Sequence, residues 1–132
     1  MEDFVTFEIA KKLKEKGFSC EYPFAMYNEG GVFHELYTSV GNMQYYDYDD
    51  FDERDTIAPT ISQALKWLRE ENEIYINIVS YFSYAPKNNV AFAFCARYKE
   101  GDDWRDVEIN LSYLTYEECA LAGIEYVLDN LI

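Results

Sequence analysis

The densest set of side chains able to do chemistry lies in NMQYYDYDDFDERD, residues 42–55, where six carboxylates and four aromatic rings fall within fourteen residues. The acids are Asp47, Asp49, Asp50, Asp52, Glu53 and Asp55, interleaved with Tyr45, Tyr46, Tyr48 and Phe51. Carboxylates at this density are the oxygen ligands that a hard cation such as Ca²⁺ prefers. Their spacing does not match an EF-hand loop. Counted from Asp47, Phe51 stands at the fifth position, Asp52 where a glycine makes the sharp turn, and Ala58 where a bidentate glutamate closes the shell. Counting from Asp49 or Asp50 brings Thr60 or Ile61 to that closing position. A cation site of some other geometry is therefore the alternative reading. The preferred one is recognition: tyrosine and phenylalanine give stiff contact area, and carboxylates steer a basic partner. A third reading leaves the acids facing water, the rings tacking the segment to the body, and function elsewhere.

Other chemistries find little support. A single histidine, His34, would have to serve every Ser-His or Cys-His mechanism, and no nucleophile elbow of the GxSxG kind is present. His34 reads as a partly exposed strand residue. Gly30-Gly31 lacks the GxGxxG or GxxxxGK surroundings of a phosphate cradle. Glu70, Glu71, Glu117 and Glu118 read as solvated helix residues, with Glu117 and Glu118 favourable near a helix N-terminus. No catalytic residue, cofactor or resident metal is expected.

Charge narrows the partners further. The chain has 132 residues and a net charge of −14, from 25 acids and 11 bases. Binding a phosphate backbone needs Lys and Arg to displace counterions, so nucleic acid and anionic membrane are excluded as expected partners. A basic protein surface is the expected one. Cys20, Cys95 and Cys119 are odd in number and widely spaced, and read as reduced, buried thiols. The first residues, MEDFVTFEIAKK, have acids where a secretory signal needs bases, and no apolar run approaches the ~20 residues of a membrane span. A cytoplasmic location is expected.

The elements that must position these residues follow from periodicity. Residues 4–16 predict an amphipathic helix with Val5, Ile9 and Leu13 inward and Gly17-Phe18 closing its end. Its far side carries Lys11, Lys12, Lys14 and Lys16 as a solvated face, with Glu8 placed to pair with Lys12. Residues 18–27 and 32–38 predict a hairpin around Asn28-Glu29-Gly30-Gly31, with Pro23 arguing for an edge strand. Periodicity then disappears from Ser39 to Pro59.

Thr60 to Gln63 and Thr115 to Glu118 are capping boxes that open two further helices. The first turns Ile61, Leu65 and Leu68 inward; the second turns Ala120, Leu121, Ile124, Val127, Leu128 and Leu131 inward. Between them lie three strand-like runs. Ile74 to Phe82 alternates isoleucines against Tyr75, Asn77 and Val79. Val90 to Tyr98 alternates large residues against Ala91, Ala93 and Cys95, and a helix is expected over that small face. Trp104 to Leu111 points Val107, Ile109 and Leu111 inward. Turns at 83–89 and 99–103 make the three an antiparallel meander. The expectation is one α+β domain over residues 1–132, in the order α-β-β-loop-α-β-β-β-α, with helices packed on a mainly antiparallel sheet.

From residue 60 onward this order resembles the topology of a double-stranded RNA-binding domain, which relies on basic residues opening its last helix; here those positions hold Glu117 and Glu118. A separate resemblance rests on APTISQALKWLREE, residues 58–71, and TYEECALAGIEYVLDNLI, residues 115–132. These are similar to the PT-x-x-x-A-x-K-W-L-R-E helix and Y-E-x-A-x-x-x-I-E-Y-x-L-x-N-L-I tail of a family of short uncharacterised proteins of gut anaerobic bacteria and their prophages or mobile elements. Cys119 stands where that family usually has alanine. The resemblance implies a bacterial accessory protein and brings no activity, cofactor or catalytic residue with it. The functional expectation is a small acidic protein-interaction module, an accessory or inhibitor protein that occupies a basic surface as DNA-mimicking inhibitors do. The alternative is a cation-binding or metal-dependent enzyme domain using the Asp47 to Asp55 carboxylates.

Overall fold

The computed structural model describes residues 3–20, 23–35, 54–83, 89–109 and 111–132. They form three helices and two three-stranded antiparallel sheets, an α+β fold. The chain divides into two compact units, Glu2–Thr60 and Ile61–Ile132.

In the first unit the side chain of Thr6 accepts the Ile9 N–H at 3.3 Å and so starts α1 (Phe7–Glu15), later than periodicity predicts. Val5, the first residue of the predicted stripe, is buried ahead of the helix instead, its N–H donating to the Pro59 carbonyl at 3.0 Å. Ile9, Ala10 and Leu13 complete the buried side of the helix. The end is the predicted cap: Gly17 N–H donates to Lys14 and Phe18 N–H to Leu13. Glu8 reaches Lys11 at 3.1 Å, one turn along the exposed face.

The predicted hairpin is present, with β1 (Ala25–Tyr27) paired to β2 (Phe33–Glu35) among the described residues. Asn28 organises its turn, taking the Gly31 N–H on its carbonyl and the Val32 N–H on its side chain. Gly31 has φ +81°, and a Cβ there would lie 2.8 Å from the Phe7 ring, so both backbone and space call for glycine. Two sequence expectations are corrected in this sheet. The supposed featureless stretch ends in a strand, β3 (Thr56–Ile57), which pairs with β1 and makes β1 central rather than an edge. Pro23 tolerates this because it lies ahead of the ladder, where its missing N–H removes no hydrogen bond. Rings of Phe4, Phe7, Tyr27 and Phe33 stack edgewise or tilted at centroid distances of 5.1–5.5 Å, and the Tyr27 hydroxyl donates to the Val5 carbonyl at 2.6 Å.

The second unit opens with α2 (Ile61–Asn72), burying Ile61, Ala64 and Leu68, with Leu65 half-buried. Glu73, at φ 54°, and a bond from Ile74 N–H to the Leu68 carbonyl turn the chain into β4 (Tyr75–Ser83). β4 pairs with β5 (Asn89–Glu100), and β5 with β6 (Asp103–Glu108), giving the predicted meander in the order β4-β5-β6. The side chain of Thr115 accepts the Glu118 N–H at 3.1 Å and starts α3 (Tyr116–Asn130). α3 buries Cys119, Ala120, Gly123, Ile124, Val127 and Leu128, while Leu121 and Leu131 are half-buried.

Helix α3 lies on the large face of β5, which corrects the expectation that it would lie on the small one. Phe94 packs its ring 6.1 Å from Tyr126 and 6.2 Å from Tyr113, and Gly123 sits against Ile76 and Phe94. The physical reason is apolar area: Ile76, Ile78 and Phe94 offer far more of it than Ala93 and Cys95, and glycine on the helix supplies the close approach that small strand residues were expected to supply. Leu111, predicted inward at the end of the third strand, lies beyond β6 and is 61% exposed. Among the described residues no helix is long and apolar enough to cross a membrane.

Candidate functional site

Of the residues singled out between 45 and 55, Tyr45, Tyr46, Asp47, Tyr48, Asp49, Asp50, Phe51, Asp52 and Glu53 lie outside the described residues. Asp55 is described. Its carbonyl accepts the Lys14 ammonium at 2.8 Å. Its neighbour Arg54 meets Glu29 at 3.4 Å, and Asn28, Glu29, Gly30, Arg54 and Asp55 together line a recess of about 240 Å³ at the hairpin turn. The ion pair is exposed on both sides and adds little stability, but it pins the start of β3 beside the turn. One lysine of the predicted solvated helix face thus has a positioning task.

The larger recess was not foreseen. Strand alternation and register place Tyr75, Asn77, Cys95, Arg97, Trp104 and Asp106 on one face of the second sheet, opposite the face that carries α3. Tyr75 stands beside Arg97, and Arg97 beside Asp106, in one cross-strand row. Arg97 binds Asp106 in a two-pronged pair, Nε to Oδ1 at 2.8 Å and Nη2 to Oδ2 at 3.3 Å. Trp104 lies on the diagonal, its ring 5.9 Å from that of Tyr75 and tilted by 59°. Tyr75, Asn77, Arg97, Trp104 and Asp106 line a recess of about 590 Å³.

The electrostatics follow from that geometry. The hydrogen bond from Arg97, with its charge, holds the Asp106 carboxyl below the ordinary carboxylate range, and Asp106 raises the Arg97 guanidinium in turn. The pair is locally neutral and leaves Arg97 with N–H donors that Asp106 does not take. What the face offers is therefore two exposed rings, an amide, and a polar pair at a fixed position: the composition of a contact surface, with stiff apolar area and oriented hydrogen-bonding groups. No base, nucleophile and orienting group converge here. Known protein families, curated proteins and solved structures offer no match to this chain.

The remaining candidates take ordinary places. His34 is exposed on β2, opposite Met26. Glu70, Glu71, Glu117 and Glu118 are exposed. Among the described residues no three His, Cys, Asp or Glu side chains gather as a metal site requires. The cysteines are free, but only Cys119 is buried, and burial raises its thiol; Cys20 and Cys95 are half-exposed, which corrects the expectation that all three are core residues. Cys95 is uncovered because it sits on the sheet face that α3 does not take.

The signal for the second recess is present in the chain as alternation. Tyr75-Ile76-Asn77 and Cys95-Ala96-Arg97 each place polar or amphipathic residues two apart around an inner one, and Trp104 and Asp106 repeat the spacing on either side of the exposed Arg105. What brings the three runs together is strand register, which alternation by itself does not determine.

Proposed function

We propose that this chain is a small protein-interaction module that docks a basic partner on the open face of its second sheet. The observation that carries the reading is the exposed pair Tyr75 and Trp104, flanked by Asn77 and the Arg97–Asp106 pair, on a face without a helix of its own unit. Rings of this kind supply most of the binding energy at protein interfaces. The net charge of −14 supplies the second ingredient: a long-range field that speeds encounter with a basic surface and repels phosphate-bearing ones, so nucleic acid is not the partner. The acidic-aromatic segment from Tyr45 to Asp55 adds to that charge and is proposed as a contact segment in its own right. Free thiols suit a reducing compartment, in keeping with a cytoplasmic location.

The test is cross-linking and pull-down from the native host with the wild-type chain beside Trp104→Ala and Tyr75→Ala. A partner that is basic, is lost in both variants and weakens as salt rises supports the reading. Capture that is indifferent to both substitutions places the contact elsewhere and overturns it.

A further inference from the structure

The two edges of the second sheet are unlike. β6, with sequence DWRDVE, carries four charges in six residues, the usual guard against unwanted strand pairing. β4, YINIVSYFS, carries none in nine and has neither proline nor glycine. No described strand pairs with the outer edge of β4. Along it Tyr75, Val79, Tyr81 and Phe82 are exposed, Phe82 to 75%, and Val90 continues the patch across the ladder from Phe82. In a chain with 36 charged residues, this is a long apolar strand edge that no described strand covers.

We propose that this edge pairs with β4 of a second copy, antiparallel about a two-fold axis through Val79, to give a continuous six-stranded sheet. Charge selects the occupant. The strand carries no carboxylate with which a basic segment could pair, and its own neutral edge is the part of this acidic chain that another copy can approach without repulsion at the contact. Side chains match as well. With Val79 on the axis, Phe82 stands opposite Ile76 of the second copy on the helix-covered face, so a three-quarters-exposed ring gains an apolar neighbour. On the other face Tyr81 of the second copy stands opposite Asn77, beside Tyr75, and adds a third ring to the recess lined by Tyr75 and Trp104. The contact is isologous and closes on itself, so it ends at two copies.

The pairing rests on different observations from the partner reading above, and salt separates the two. Two acidic copies repel at long range, so dimerisation strengthens between about 0.1 M and about 1 M salt as the screening length falls from about 10 Å to about 3 Å. Binding to a basic partner weakens over the same range. Sedimentation of the full chain at roughly 100 µM, a concentration that reveals weak self-association, should show twice the chain mass, more completely at high salt.

Val79→Lys and Val79→Glu each place like charges opposite themselves, and each should run as a monomer; since Val79 is exposed, each should melt as the wild type does in solution dilute enough for the wild type to be monomeric too. Mixed, the two should recover the double mass, because the two-fold axis sets Lys against Glu. A wild-type chain that stays monomeric at both salt concentrations overturns the proposal. So do single variants that remain dimeric, or a mixture that does not pair.

Discussion

Gly123 of α3 and Ile76 of β4 approach so closely that a Cβ on the glycine would lie 3.1 Å from Ile76 Cγ2 and 3.4 Å from the Phe94 ring. The helix sits down on the sheet at this point, and side-chain volume there has no free space to enter. Gly123→Val should destabilise the second unit by roughly 1–3 kcal/mol through overpacking and the poor helix propensity of a branched residue. Urea titration followed by circular dichroism measures this; an unchanged midpoint would falsify the close seating of α3.

Ile124, next along the same helix, is fully buried. Ile124→Asp buries a carboxylate without a partner, and a loss above about 4 kcal/mol is expected, enough to leave the purified variant without a cooperative melt. A variant that melts as wild type does would mean that α3 is peripheral.

In the first unit, the Tyr27 hydroxyl donates to the Val5 carbonyl at 2.6 Å. Tyr27→Phe keeps the ring stack with Phe7 and Phe33 but leaves that carbonyl without this donor, so a loss of about 1 kcal/mol is expected. Equal stability of the two proteins would show that water replaces the hydroxyl at no cost.

Alkaline pH tests burial directly. Burial raises the Cys119 thiol above its ordinary 9.0 and the Tyr27 and Tyr113 hydroxyls above their ordinary 10.0. All three pKa values are higher folded than unfolded, so their contribution is fully present below the unfolded values and is lost as pH rises through the folded ones. Stability should hold to about pH 8 and then fall, first through Cys119 and next through the tyrosines. Cys119→Ala should remove the early part of that fall. Urea midpoints at a series of pH values decide it, and identical slopes for both proteins would contradict the assignment.

Trp104 and Asp106 face the open recess and are half-exposed. Trp104→Ala and Asp106→Asn should therefore melt close to wild type, because an exposed ion pair and a half-exposed ring contribute little to folding. The Arg97–Asp106 contribution is present at neutral pH and disappears as acid titrates the lowered Asp106 carboxyl. Binding, by contrast, should fall at least tenfold in Trp104→Ala when measured by calorimetry against the partner identified by pull-down. A large drop in melting temperature would instead assign Trp104 a structural role.

The parts of this protein that could be read from its residues are those whose cause is local. Thr115 caps α3 because a hydroxyl three residues ahead of Glu118 can reach its N–H, and Gly17 with Phe18 closes α1 by bonds within one turn. The alternation of Ile74, Ile76 and Ile78 against Tyr75, Asn77 and Val79 is a property of β geometry, and burial follows it. Three features depended on contacts far apart in the chain. Pairing of Thr56–Ile57 with β1 joins residues separated by a long aperiodic segment, so no local pattern marks it. The face of β5 that α3 covers was set by the apolar area of Ile76 and Phe94 together, which alternation within β5 could not weigh. The recess of Tyr75, Asn77, Arg97, Trp104 and Asp106 exists through strand register, and a shift of one residue would turn its side chains to the helix side. Local hydrogen bonds and periodicity act over a few residues and are written in sequence order, whereas register and face selection are settled by the packing free energy of the whole unit.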